Sequence, residues 1–321
     1  MSRLNPMMFH TALFLFTTCF GSGVLSATFT FSNKCAYTVW PGLLSGAGTA
    51  PLSTTGFALA TGDSKSVPVP SAWSGRIWAR TLCSIDSTTN QFTCATADCG
   101  SGKLECLGAG AIPPATLAEF TLNGAGGNDF YDVSLVDGYN LPMLVVPSGG
   151  TGQNCSATGC SVDLNGACPT EMKVLSSDGK EGVACKSACE AFGDAQYCCS
   201  GAYGSPDTCK PSQYSLMFKN ACPRAYSYAY DDKTSTFTCG SSPNYVITFC
   251  PSPNTSQKAT TEPTTNTTTT NTTPSTVQTN GGMVYEGLLD SSAATWHQTN
   301  GGRYLAVLLI GLAASWMHLL L

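Results

Sequence analysis

Apolar side chains recur at every second position in several short stretches of the chain. Thr28-Phe29-Thr30-Phe31 and Tyr37-Thr38-Val39-Trp40 show it first, and Arg76-Ile77-Trp78-Ala79, residues 117–122 and residues 245–249 follow. All are rich in β-branched or aromatic residues and bounded by Gly, Pro, Asn or Ser, a pattern that predicts an all-β sandwich. Along 117–122, Phe120 and Leu122 fall on the core side and Glu119 on the opposite face. Only residues 183–191 read as a helix, with Cys185 and Cys189 one turn apart and Gly193 placed as its stop. Trp40 and Trp78 sit inside strand patterns and read as core rather than as sugar-stacking platforms.

Longer apolar runs occupy both ends. Residues 11–20 follow a start whose only charge is Arg3 and lead into Val24-Leu25-Ser26. That order makes residues 1–26 a signal peptide, cleaved near Ser26 and Ala27, and the run is shorter than the roughly 20 residues of a bilayer span. Residues 304–321 carry no formal charge, and no Lys or Arg follows them. Upstream stand Asp290-Ser291-Ser292-Ala293-Ala294 and a polar spacer through Arg303. Small site, spacer and apolar tail fit a GPI signal with attachment at Ser291 and removal of 304–321; a single-pass tail is the alternative reading.

Between Pro251 and Arg303 the composition collapses to Thr, Asn, Ser and Pro, too little apolar surface to offset chain ordering. Residues 251–303 therefore read as a disordered stalk and spacer, glycosylated at Asn254, Asn266 and Asn271 and O-glycosylated on Thr and Ser. Asn154-Cys155-Ser156 is formally a fourth acceptor. Residues 27–250 remain as one domain.

Composition narrows the chemistry. Of 17 cysteines, Cys19 leaves with the signal, and the even remainder in a secreted chain reads as eight bridges. Adjacent Cys198 and Cys199 point apart and staple two separate segments. Zinc is disfavoured, because Cys-x2-Cys spacing is absent. His10, His297 and His318 all fall outside 27–250, which excludes Ser-His-Asp and Cys-His catalysis and ordinary histidine metal sites there. No phosphate-cradling Gly-x4-Gly-Lys-Ser/Thr motif occurs. Residues 27–250 hold 12 Lys and Arg against 17 Asp and Glu, which argues against nucleic acid and anionic lipid and leaves carbohydrate as the natural partner class.

Several stretches carry a family resemblance: Gly75-Arg76-Ile77-Trp78-Ala79-Arg80-Thr81, Cys94-Ala95-Thr96-Ala97-Asp98-Cys99, Pro113-Pro114-Ala115-Thr116-Leu117-Ala118-Glu119-Phe120 and residues 129–143. Tyr197-Cys198-Cys199, Cys222-Pro223-Arg224-Ala225-Tyr226-Ser227-Tyr228 and Thr248-Phe249-Cys250 continue it. The chain resembles the thaumatin-like proteins, the fifth class of plant pathogenesis-related proteins, here in a GPI-anchored form. Asn90, where the family usually has Gly, and the C-terminal extension depart from the pattern. The resemblance implies a mainly β, thaumatin-like β-sandwich with two smaller disulfide-rich loop subdomains, around Cys83–Cys106 and Asp163–Cys222. It also implies the bridges Cys35–Cys250, Cys83–Cys94, Cys99–Cys106, Cys155–Cys239, Cys160–Cys222, Cys168–Cys185, Cys189–Cys198 and Cys199–Cys209.

An acidic cleft is implied too, built from Arg76, Glu119, Asp132, Asp137 and Asp231, with Asp232 adjacent. Asp132 and Asp137 are an odd number of residues apart, so a bend or strand end must intervene for both to line one cleft. Phe130 and Tyr131 are candidates for its wall. Clustered carboxylates repel and raise at least one pKa, which suits glycoside chemistry; on residue chemistry alone the acids read better as a solvated surface with a loop-ordering ion pair. Three functions follow from the resemblance: a surface defence or cell-wall protein whose cleft binds β-1,3-glucan, an endo-β-1,3-glucanase with Glu119 as general acid and Asp137 as nucleophile or base, or a scaffold with an idle cleft. Carboxyl separation divides them, about 5–5.5 Å for a retaining and about 6.5–9.5 Å for an inverting enzyme. The expected protein is monomeric, without cofactor or metal, contacts the membrane only through the GPI lipid, and stands outside the plasma membrane or in the cell wall.

Overall fold

In the computed structural model, which describes residues 25–252 except position 242, the alternation resolves into thirteen strands. In chain order they are β1 (Leu25–Asn33), β2 (Trp40–Ser45), β3 (Ser64–Pro70), β4 (Ser74–Ile85), β5 (Phe92–Thr96), β6 (Leu117–Thr121), β7 (Asp129–Ser134), β8 (Met143–Ser148), β9 (Thr158–Cys160), β10 (Lys173–Leu175), β11 (Gly182–Cys185), β12 (Phe237–Cys239) and β13 (Asn244–Phe249). Residues 1–24 of the expected signal segment 1–26, the expected stalk from residue 253 with Asn254, Asn266 and Asn271, the expected Ser291 attachment site and the 304–321 tail lie outside the described residues, and the last two residues of the expected signal, Leu25 and Ser26, open β1.

Strands β3, β1, β13, β8 and β9 form one sheet of the sandwich and β12, β7, β6, β4 and β2 its partner, with β5 added to β4; β10 and β11 pair as a separate two-stranded ribbon. Every second residue points inward: Phe29, Phe31, Tyr245 and Ile247 from the first sheet, Ile77, Phe120, Tyr131 and Val133 from the second, all buried. The Phe29 and Phe120 ring centroids lie 4.5 Å apart, and Tyr245 sits 5.1 Å from both Phe120 and Tyr131. Each fully buried side chain of this size contributes about 1.5–3 kcal/mol. The first and last strands run parallel, with Phe29 opposite Tyr245 and Phe31 opposite Ile247. Just past their ends Cys35 joins Cys250, 215 residues apart, a closure worth about 4–5 kcal/mol on the chain-entropy view.

All eight implied bridges are formed, and they use all sixteen cysteines of the described residues. Cys83–Cys94 and Cys99–Cys106 hold a small lobe. Arg80, fully buried, reaches into that lobe: its guanidinium donates to the carbonyls of Leu104, at 2.6 Å, and Trp40, at 3.1 Å. Trp78 is core, its Nε1 donating to the Ala97 carbonyl. Trp40 is only half-buried, against Phe92 at 6.2 Å, which corrects its reading as core.

The helical reading of 183–191 also needs correction. Cys185 closes strand β11, paired with Lys173 and bonded through its backbone to Tyr139, and helix α1 (Ala188–Phe192) begins only after Ser187 caps it. Gly193 does stop that helix, in the left-handed region at φ 71°, its N–H returning to the Cys189 carbonyl. Helix α2 (Ala195–Cys198) follows. The longest helix among the described residues is α3 (Gln213–Ala221), which the hydrophobic pattern does not predict; Ser212 and Ser215 cap it reciprocally and Phe218 anchors it in the core.

Candidate functional site

Residues opposite one another across β4, β6 and β7 form rows. Arg76 faces Glu119, and Glu119 faces Asp132, so three charged side chains stand in line on the face turned away from the core. The neighbouring row, Gly75, Phe120 and Tyr131, points inward. Gly75 cannot carry a side chain, because a Cβ would lie 2.2 Å from the Leu44 carbonyl and 2.5 Å from the Trp73 ring.

Asp137 reaches the same groove by the bend that the spacing demanded. Strand β7 ends at Ser134, and the turn that follows is completed by Gly138, in the left-handed region at φ 85°. A Cβ there would meet Pro114 at 2.6 Å and the Cys185 carbonyl at 2.7 Å. The turn is further fixed by the Ala115 N–H, which donates to the Asp137 carbonyl.

Two adjoining hollows share Arg76, Glu119 and Asp132. One, of about 390 Å3, is walled by Leu44, Ser45, Gly46 and Phe130; the other, of about 290 Å3, by Ser134, Val136, Asp137, Tyr226 and Asp232. The Arg76 Nε donates to the Glu119 Oε1 at 2.6 Å. Burial nevertheless pushes the Glu119 carboxyl above its ordinary value, with Arg76 opposing and Asp137 adding to the rise. Asp132 is driven well above the carboxylate range, first by burial and then by Glu119, again against Arg76. Its Oδ2 is buried and has no hydrogen-bond partner among the described residues. Two raised carboxyls side by side, one with an uncommitted oxygen and one paired to Arg76, let the groove both donate and accept hydrogen bonds.

Asp231 does not line either hollow. Its carboxylate takes Lys219 at 2.9 Å and the Ser227 N–H at 3.0 Å, tying α3 to the following loop. Its neighbour Asp232 lines the groove instead, accepting from the Tyr226 hydroxyl at 2.8 Å. Of the two wall candidates Phe130 lines the groove, whereas Tyr131 is buried, its hydroxyl donating to the Ser156 carbonyl; that corrects its reading as a wall residue. Tyr226, which the resemblance names only within a matching stretch, lines the groove without having been expected there. Its backbone accepts from Leu135 and donates to Val133, a bridge across some 90 residues that no local pattern announces.

The Thaumatin family profile matches residues 33–251. Thaumatin-like protein 1 of Pyrus pyrifolia is 59% identical over 230 residues, covering 72% of this chain and 93% of that one. A protein of Prunus avium named glucan endo-1,3-beta-glucosidase is 56% identical over 229 residues, covering 71% and 92%. The PR5-like receptor kinase of Arabidopsis thaliana is 57% identical over 234 residues, which cover 72% of this chain but 35% of that one. With the fold, the eight bridges and this extent of identity in agreement, the chain belongs to the thaumatin family, among its thaumatin-like, pathogenesis-related members.

Proposed function

We propose that the groove is a carbohydrate-binding cleft for β-1,3-glucan, displayed on the outer face of the plasma membrane or in the cell wall by a glycosylated stalk and a GPI lipid. The observation that carries the reading is the row Arg76, Glu119, Asp132, in which an uncommitted carboxyl oxygen stands beside an ion-paired carboxylate. Sugar hydroxyls both donate and accept, so the uncommitted Asp132 oxygen and the Arg76–Glu119 pair can meet them in both senses. Phe130 offers an apolar edge to a pyranose face. Asp137 and Asp232 extend the acceptor set along the second hollow.

An endo-β-1,3-glucanase is the second reading, favoured by the raised carboxyls and by the name of the Prunus avium relative. In it an acid protonates the leaving glycosidic oxygen while Asp137 takes a proton from the attacking water. The Arg76 Nε, at 2.6 Å, already occupies one oxygen of Glu119, so that carboxyl is held in place rather than free to meet a glycosidic oxygen, which weighs toward binding.

The deciding experiment pairs sedimentation with insoluble β-1,3-glucan and reducing-sugar release, using wild type and Glu119→Gln. Retained binding with lost release marks the enzyme; loss of binding in a folded variant marks the lectin-like cleft. Binding and release both unchanged would refute the assignment. Release from intact cells by a phosphatidylinositol-specific phospholipase C tests the anchor, and its failure would refute GPI attachment.

A further inference from the structure

The lobe closed by Cys189–Cys198 and Cys199–Cys209 carries another groove, of about 310 Å3, outside the acidic cleft. Tyr197 and Tyr203 line it, with Gln196, Thr208, Lys210 and Ser212. No carboxylate lines it, in contrast to the cleft. Tyr197 is buttressed from behind by Phe192 and Tyr214, with ring centroids 5.7 and 5.8 Å away, and Tyr203 is 39% exposed. The hydroxyls of Tyr197 and Tyr203 and the Gln196 amide make no hydrogen bond among the described residues. Two bridges within about twenty residues hold these rings in place, so a ligand would order little on binding.

We propose that this groove is a second carbohydrate site, in which pyranose faces of a polysaccharide chain stack on Tyr197 and Tyr203 while the Gln196 amide and the tyrosine hydroxyls pair with sugar hydroxyls. Rigid amphipathic rings flanked by polar groups, here Gln196, Thr208, Ser212 and the Lys210 ammonium, are the chemistry that a pyranose, apolar on its face and polar at its rim, requires. The position supports the same class of polymer in both sites. A crevice of about 30 Å3, too small for a sugar ring, shares Gln196, Tyr197, Lys210 and Ser212 with this groove and Val136 with the acidic cleft, so the two sites lie close together on the surface. The choice of β-1,3-glucan as first polymer rests on the cleft reading; the tyrosine site itself does not.

The test is native affinity electrophoresis of the full chain, extracted in neutral detergent, through gels holding laminarin, xylan or polygalacturonate. Wild type is expected to be retarded by at least one of these. Tyr197→Ala with Tyr203→Ala should weaken that retardation at least fivefold, while the two Tyr→Phe changes, which keep the rings, should largely preserve it. Tyr203→Ala alone, at a ring that stacks on no other among the described residues, should weaken it in a protein that still melts like wild type. Glu119→Gln separates the two sites: its loss of retardation alone would refute the tyrosine site and leave the cleft, and its retention beside a defective tyrosine variant would do the reverse. Equal retardation of wild type and tyrosine variants, or none of wild type by any polymer, overturns the proposal.

Discussion

Two rows of one sheet, a single residue apart, have opposite fates. Phe120 and Tyr131, in the row that Gly75 begins, are packed against Phe29 and Tyr245 of the facing sheet. Arg76, Glu119 and Asp132 sit on the far side of the same strands, where burial is partial and every charge alters its neighbours. The inner row supplies stability and the outer row chemistry, and the pleat of β4, β6 and β7 joins them rigidly. Raised carboxyls are tolerated on the outer row because the inner row holds the strands in register.

The largest effect should come from breaking the inner row. Phe120→Ala removes a ring that contacts Phe29, Tyr131 and Tyr245, and should cost about 3–5 kcal/mol in denaturant unfolding of the oxidised protein. A loss below about 1 kcal/mol would show that the bridges, not the packing, hold the sheets together.

The contrasting change on the outer row is Glu119→Gln. Glucan binding should fall at least tenfold, yet unfolding free energy should stay within about 1 kcal/mol of wild type, because an ion pair on the partly exposed outer face contributes little. Unaltered binding would detach the row from function.

Removing the cation sharpens the comparison further. Arg76 opposes the rise of both Glu119 and Asp132, so Arg76→Gln should move the pH midpoint of glucan binding upward, read from binding isotherms across pH 4–8. A downward or absent shift would mean that Arg76 does not govern the pair.

The smallest effect lies on the neighbouring helix. Glu190 is lifted from 4.5 to about 7, mainly by burial, with Lys186 opposing and Asp137 adding, and its Oε2 has no partner among the described residues. The folded state there holds its proton more tightly than the unfolded chain, so stability falls as pH rises from about 4.5 to about 7. In Glu190→Gln that decline should be shallower, by thermal melting at successive pH values; an identical slope would contradict the assignment.

Much of this was legible from alternation. The facing of Glu119 against Phe120 and Leu122, and the bend before Asp137, followed from a period of two. Tyr131 was open to the same logic, since it shares its face with Val133 and not with Phe130 and Asp132, but its aromatic character drew it toward the cleft. The choice between Asp231 and Asp232 was not legible, because it depends on Lys219 arriving from α3. Nor was the parallel pairing of β1 with β13, which joins residues more than 200 positions apart with no local signature. Helix α3 hid because its capping box uses two serines rather than Ser with Glu.

The most direct measurement is a carbon-13 NMR titration of the side-chain carboxyls in the oxidised protein. The account predicts that Asp132 titrates well above the ordinary aspartate value near 3.9, that Glu119 also lies above its ordinary value, and that each responds to substitution of the other. Two independent titrations at ordinary carboxylate values would contradict it.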